Sequence, residues 1–529
     1  MVGSDDETAR VQNVQRRSML EGLIASVRQI GVRLSSIGSG LKARREDHME
    51  PLDTVRAFYS VAVVIFHCAI GARMLEPMKG PQNDLSYVQL KQNPWMSTLT
   101  HGGNAPDVFF LLSGFLTTLS LLQDSAISAE YGRFSVLKAI LNRALRLFPL
   151  LIVPYAYGLL RDPFLKSSWV TMTGWLLMVG NWAPLSSGNT AEANISVVPC
   201  WSILVDLQCT LLLIFVVPFC HRRWPFHAWP FVTFAALLVL VRWCVVESTI
   251  IARSCTFSEF ISVLAVQGLP YDFPNKTAAT FTATFGGPPY SANLCKIGFG
   301  EMFVDFWTKT KSAPHAAAGP FFVGALMANN YKYVMRLRKN HELASVMAAS
   351  QKGAFAAFIF PLRDWARTLS LCLAVISILA QLVPQNMTAP IDSRFAHALV
   401  IFLPLILSAP WALIIYSAVA PPGSDWHSRI LRALLSWRHL RTLADLSPWL
   451  YTLHWPIMCE LLRNRVLYVE RFGHKAYCLT ETAIASALVL GITLPLAALC
   501  VQHIEPACEK RRRKLVTKLF TLPKFKGMD

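Results

Sequence analysis

Residues 52–71 read LDTVRAFYSVAVVIFHCAIG. The stretch is apolar over most of its length and long enough to cross a bilayer as a helix, which takes about 20 residues. Arg56 and His67 interrupt it. A helix turns ~100° per residue, so positions 11 apart lie on nearly one face, ~16 Å apart along the axis. Ionisable groups inside a membrane span are expensive, and the cost points to function.

The rest of the chain fits a protein that lives in a membrane. Of 529 residues, 53% are hydrophobic and only 16% are charged, where a soluble domain carries about a quarter charged. The fold class is therefore all-α: a polytopic integral membrane protein with about ten core transmembrane helices. The formal charge of +18 suggests nucleic acid in a soluble protein. Here the basic residues gather in short segments between apolar runs, where they set orientation, and no nucleic-acid partner is expected. The direct partners of such a surface are membrane lipids. Among the 12 cysteines, Cys68, Cys209 and Cys500 read as small buried hydrophobes. Cys255 and Cys295 flank a long non-spanning segment and are a possible disulfide if it faces an oxidising compartment. No spacing of metal ligands stands out, so no metal is predicted.

Spans are expected near 52–73, 105–123, 143–161, 200–220, 228–247, 316–331, 364–384, 396–420, 444–463 and 479–501. Alternation then puts both termini in the cytosol. It puts Arg143 and Arg146, His221 to Arg223, Lys332 to Lys339, Arg429 to Arg441, and Lys510 to Lys514 on the inner side, as basic clusters require. The sequons at Asn194, Asn275 and Asn386 fall outside, where glycosylation takes place. Residues 1–50 form a cytosolic basic tail, either an amphipathic helix on the inner surface or a weakly ordered segment, and 51–505 the membrane domain. Residues 247–315 form an outer or luminal cap within that domain, and 506–529 a second basic tail. Segments 169–183 and 342–361 are apolar but do not fit as full spans; the first is expected at the outer interface and the second at the inner one.

The chemistry rests on few residues. His67 reads either as a buried histidine bonded to a neighbouring helix or as a general base that takes a hydroxyl proton. Asp107, at the start of the second span, reads as an orienter of that imidazole or as a helix cap. Arg56, Arg143 and Arg146 read as a phosphate clamp or as positive-inside anchors. Ser113, Trp201, Asp206, Tyr451 and His454 are further intramembrane candidates for substrate binding or helix packing. Tyr451 and His454 share a helix face at i,i+3, beside Pro456. Ser113 and Gly114 favour close packing of helices over nucleophilic catalysis.

Several of these fragments together resemble the acyltransferase 3 family of membrane acyltransferases, and more narrowly its animal "nose resistant to fluoxetine" type. They are Leu52 to Arg56 with His67, Asp107 to Phe115, Arg143-Ala144-Leu145-Arg146 with Pro149, Cys200-Trp201-Ser202 through Gln208, Thr308 to Lys311 with Ala318 to Gly324, Tyr451-His454-Pro456, and Glu505-Pro506. The resemblance spans about residues 50–510. It implies ten core spans, acyl-CoA (acetyl-CoA in the usual case) as co-substrate, His67 as base and the arginines as handlers of that co-substrate. The acceptor it implies is a hydroxyl-bearing lipid, sugar or small molecule. The expected setting is the endoplasmic reticulum or plasma membrane. A lipid or small-molecule transporter on the same scaffold, moving its substrate without acyl-CoA, is the alternative; a structural or receptor-like protein that binds through the 247–315 cap is a second, and it places little demand on His67.

Overall fold

The structure, a computed structural model, describes residues 49–75, 105–127, 133–161, 200–252, 314–339, 368–369, 371–376, 393–419, 426–437, 440–463 and 479–520. Every regular element among the described residues is helical. In chain order they are α1 (Glu50–Leu75), α2 (Ala105–Ile127), α3 (Arg133–Arg161), α4 (Trp201–Arg223), α5 (Trp229–Ala252), α6 (Pro314–Lys339), α7 (Ser393–Val419), α8 (Trp426–Leu435), α9 (Leu440–Arg463), α10 (Leu479–Leu499) and α11 (Glu505–Phe520). A π turn, Cys500–Ile504, joins the last two. Among the described residues, three helical stretches, Ala105–Gln123, Trp201–Arg223 and Thr482–Leu519, contain an apolar window long enough to cross a membrane. The tail before residue 49, the two ambiguous segments, most of the 247–315 cap, most of the 364–384 span, the three sequons and the Cys255–Cys295 pair lie outside the described residues.

Local sequence explains the helix ends. Pro51 sits in the first turn of α1, where a missing N–H costs nothing, beside Glu50 and Asp53, which suit the positive end of the helix dipole. At the far end of α4, His221, Arg222 and Arg223 complement the negative end. One boundary differs from the expected spans. α3 begins at Arg133 rather than at 143, because Phe134, Val136, Ile140 and Leu141 continue the apolar pattern. Arg143 therefore stands ~15 Å along the helix instead of at its start. The chain also stays helical past Glu505-Pro506. In the π turn the Glu505 N–H reaches back to the Cys500 carbonyl. Pro506 then follows in the first turn of α11, where its ring is tolerated.

Packing brings the helices closest at α2 and α6. A Cβ built on Gly114 would lie 2.2 Å from the Phe321 carbonyl oxygen, and one on Gly324 would lie 2.1 Å from the Leu111 carbonyl oxygen. The obstacles are backbone, so neither contact can relax by a rotamer change. Small residues allow such approach, and van der Waals contact is what drives helix association in lipid. Around this crossing Phe110, Leu111, Phe115, Phe321 and Phe322 are fully buried. The predicted buried cysteines Cys68, Cys209 and Cys500 are 3%, 2% and 8% exposed, so they pack as hydrophobes.

α1 packs along α9. Glu50 pairs with Arg441 near one end of the two helices, and His67 meets His454 further along both. The two helices therefore run in the same direction. A small apolar core of Val64, Cys68, Leu450, Trp455, Met458, Cys459, Ala485 and Val489 fastens them to α10.

Gly324→Val should prevent accumulation of folded, monodisperse protein, since overpacking costs about 1–3 kcal/mol even where side chains can yield. Gly491→Ala, where a Cβ meets nothing within 4 Å, should leave the thermal midpoint unchanged or raise it. Fluorescence-detected size exclusion after graded heating compares the two.

Candidate active site

His67 projects from α1 and His454 from α9. His67 Nδ1 and His454 Nε2 are 2.7 Å apart. The ring centroids are 4.9 Å apart and the planes differ by 14°. The centroid distance exceeds the N–N distance by nearly two ring radii, so the rings meet edge to edge in almost one plane. That is the geometry of an N–H···N hydrogen bond. His454 Nδ1 lies 3.1 Å from the Leu450 carbonyl oxygen, one turn back on α9. His454 is fully buried, while His67 is partly exposed. Trp455 closes the site from the side: its indole stands at 78° to the His67 ring, with centroids 4.8 Å apart. His67 has no other hydrogen bond among the described residues, which leaves its Nε2 unpartnered there.

Tyr451 lies one turn before His454 and is buried. It accepts a 2.8 Å hydrogen bond from Ser202 Oγ of α4 and packs edge-on against Phe109 of α2. Trp201 packs edge-on against Phe110. These residues join α2, α4 and α9 into one wall beside the histidines. Asp107 lies in electrostatic range of Tyr59 of α1 and of the buried Arg242 of α5. Arg242 is a residue the sequence reading passed over. Its signal was present: a lone arginine in the apolar run FAALLVLVRWCVV.

The arginines gather in a second layer. Arg143 Nη2 donates to Asp206 Oδ2 at 2.5 Å and to Ser113 Oγ at 2.6 Å. Three sequence candidates on three helices thus form one polar node. Arg143 Nε is buried without a partner among the described residues. Arg146, one turn on, is exposed, and it lies in electrostatic range of Arg143, Arg56, Glu505 and Arg512. Arg56 is a third exposed and lies 3.9 Å from Asp53. The structure therefore brings Arg56, Arg143 and Arg146 into one cationic region, and it adds Arg512. No group of three or more metal-ligating side chains occurs among the described residues.

A family model described as an acyltransferase domain matches residues 50–501, and the chain belongs to that family, acyltransferase 3. No curated protein and no solved structure matches the chain. The membership accounts for a helical, membrane-embedded transferase, and its matched segment holds both histidines and Arg56, Arg143 and Arg146.

Helix α11 lies beyond the matched segment. Arg512 bonds Glu509 through two 2.7 Å contacts and also donates to Asn142 of α3. Arg513 adds a 2.6 Å bond to the same carboxylate. These bonds, Arg512 first, hold the Glu509 carboxyl well below its ordinary 4.5, at about 2. An acid held low contributes stability that is complete above its ordinary value and is lost as pH falls through the lowered one. Glu509→Gln should therefore lower the thermal midpoint above about pH 5, and the gap to the unaltered protein should close as pH falls from about 4 toward 2. Midpoints measured across that range check the sign; a gap that widens toward acid contradicts the assignment.

Proposed function

We propose that the protein is a membrane O-acyltransferase. It moves an acyl group, acetyl in the simplest case, from cytosolic acyl-CoA to a hydroxyl-bearing lipid, sugar or small molecule on the luminal or extracellular side. One observation carries the reading: His67 keeps a ring nitrogen without a partner among the described residues, on the same helix as Arg56 and ~16 Å from it. A pantetheine arm spans a distance of that order between a phosphate clamp and a reacting thioester.

The chemistry is a single group transfer. The lone pair of His67 Nε2 accepts the proton of the acceptor O–H while that oxygen attacks the thioester carbonyl carbon. The carbonyl π electrons move to oxygen and return as the C–S bond breaks. The departing thiolate takes the proton from the imidazolium, so the products are an ester and free CoA. Arg146, exposed, supplies the most accessible charge for the donor's phosphates, with Arg56 beside it. Arg143 is held by Asp206 and Ser113, so its part is to fix the clamp and offer its remaining nitrogens. A site closed by Trp455, Tyr451 and Trp201 keeps a reactive acyl group from bulk water.

About ten spans with both termini cytosolic suit this direction of transfer. The parallel run of α1 and α9 is what a first and ninth alternating span require. The "nose resistant to fluoxetine" subtype, an endoplasmic reticulum or plasma membrane setting and glycosylation of the outer segments belong to the same reading. A transporter on this scaffold would move substrate without acyl-CoA and would tolerate loss of His67.

His67→Ala in purified protein should reduce acyl transfer by roughly 10²–10⁴-fold with donor binding retained. Arg146→Ala should weaken donor binding instead. Transfer from radiolabelled acetyl-CoA, measured beside CoA binding, separates the two; full activity in the His67 variant refutes the mechanism.

A further inference from the structure

We infer that His454 is a positioning residue that sets the tautomer of His67 and so makes it a base. The inference rests on the proposed role of His67 and assigns the group that enables it.

The proton positions follow from one carbonyl. Leu450 O can only accept, so His454 Nδ1, 3.1 Å away, carries the hydrogen. His454 is fully buried, and an imidazolium there would carry a large desolvation cost. A neutral ring has one N–H and one lone pair, so the lone pair of His454 lies on Nε2. That nitrogen faces His67 Nδ1 at 2.7 Å. Two lone pairs at that distance repel, so His67 Nδ1 carries the hydrogen and donates it. The lone pair of His67 is thereby placed on Nε2, the nitrogen without a partner among the described residues. The near-coplanar rings, 14° apart, align the N–H with its acceptor.

The arrangement does more than hold a ring. When His67 Nε2 takes a proton, the imidazolium still donates from Nδ1, and the bond to His454 becomes charge-assisted. His454 therefore binds the protonated state more strongly than the resting one, which is the condition for lowering a barrier. A carboxylate in this position, as in a serine-protease triad, would pair with the same charge. An imidazole does so without placing a second ion in the membrane, where ions are costly. The backbone carbonyl of Leu450 anchors the relay, so no further titratable group has to stand behind His454.

The test compares two variants at one position. His454→Gln offers an amide oxygen near the place of Nε2 and an N–H₂ that can serve the Leu450 carbonyl. His454→Leu keeps bulk and offers neither. Both are purified in detergent, and folding is checked by size exclusion and by binding of CoA. Initial rates with acetyl-CoA are measured alongside His67→Ala. The expected result is a kcat lowered by roughly 10²–10⁴-fold in His454→Leu, with the KM for donor within a few-fold of the unaltered protein. His454→Gln should recover most of that loss. Equal, severe losses in both variants with donor binding intact would overturn the tautomer assignment. So would an unchanged kcat in His454→Leu while His67→Ala is inactive. If His67→Ala itself remains active, the reading of His67 as base fails before the question of His454 arises. Should His454→Leu not fold, His454→Gln decides alone: retained kcat supports the relay, and a kcat as low as that of His67→Ala refutes it.

Discussion

The bond between His67 and His454 depends on two helices, far apart in sequence, holding their relative height and rotation. A 2.7 Å contact between two rings fixes both, since a shift of about one residue along either helix moves a side chain by ~1.5 Å and turns it by ~100°. The surrounding packing meets that demand. Glu50 and Arg441 pin α1 to α9 at one end, and the core around Val64, Leu450, Trp455 and Met458 fills the space between the helices and α10. The site is thus built on rigid elements rather than loops, where a small misplacement would cost most of the rate.

The charged layer obeys the same constraint by a different means. A guanidinium in an apolar helix bundle needs a partner, and Arg143 finds Asp206 and Ser113 on two neighbouring helices. The α2–α6 crossing at Gly114 and Gly324 anchors the helix that presents Ser113, since neighbouring Gly114 is pressed against the α6 backbone. The cost of burying charge therefore serves two ends: it locks α2, α3 and α4 together, and it leaves Arg146 beside that lock as an accessible cation.

Much of this was legible in the sequence, and what was not has a physical reason. Arg56, Arg143 and Arg146 could be placed together because basic residues beside apolar runs share a membrane level. Gly114 could be assigned to packing because Ser-Gly in an apolar helix leaves little else to do. Tyr451 and His454 could be placed on one face by helical period alone. The partner of His67 could not, because 387 positions separate it from His454 and no local period spans that distance. Asp107 was the natural orienter by analogy with a catalytic triad. Its neighbours Tyr59 and Arg242 emerge only when α1, α2 and α5 are brought together. α3 begins at Arg133, ten residues before the expected span, because the apolar positions Phe134, Val136, Ile140 and Leu141 extend the helix beyond the stretch needed to cross a bilayer.

The central claim is spatial: a donor held by arginines at one level delivers its thioester to a histidine at another. The most direct measurement is a structure with a non-hydrolysable acyl-CoA analogue bound. The account predicts the phosphates against Arg56 and Arg146, with the acyl carbonyl beside His67 and space for an acceptor oxygen within about 3.2 Å of Nε2. An analogue whose phosphates lie against those arginines while its acyl end points away from His67, or one bound elsewhere on the protein, contradicts it.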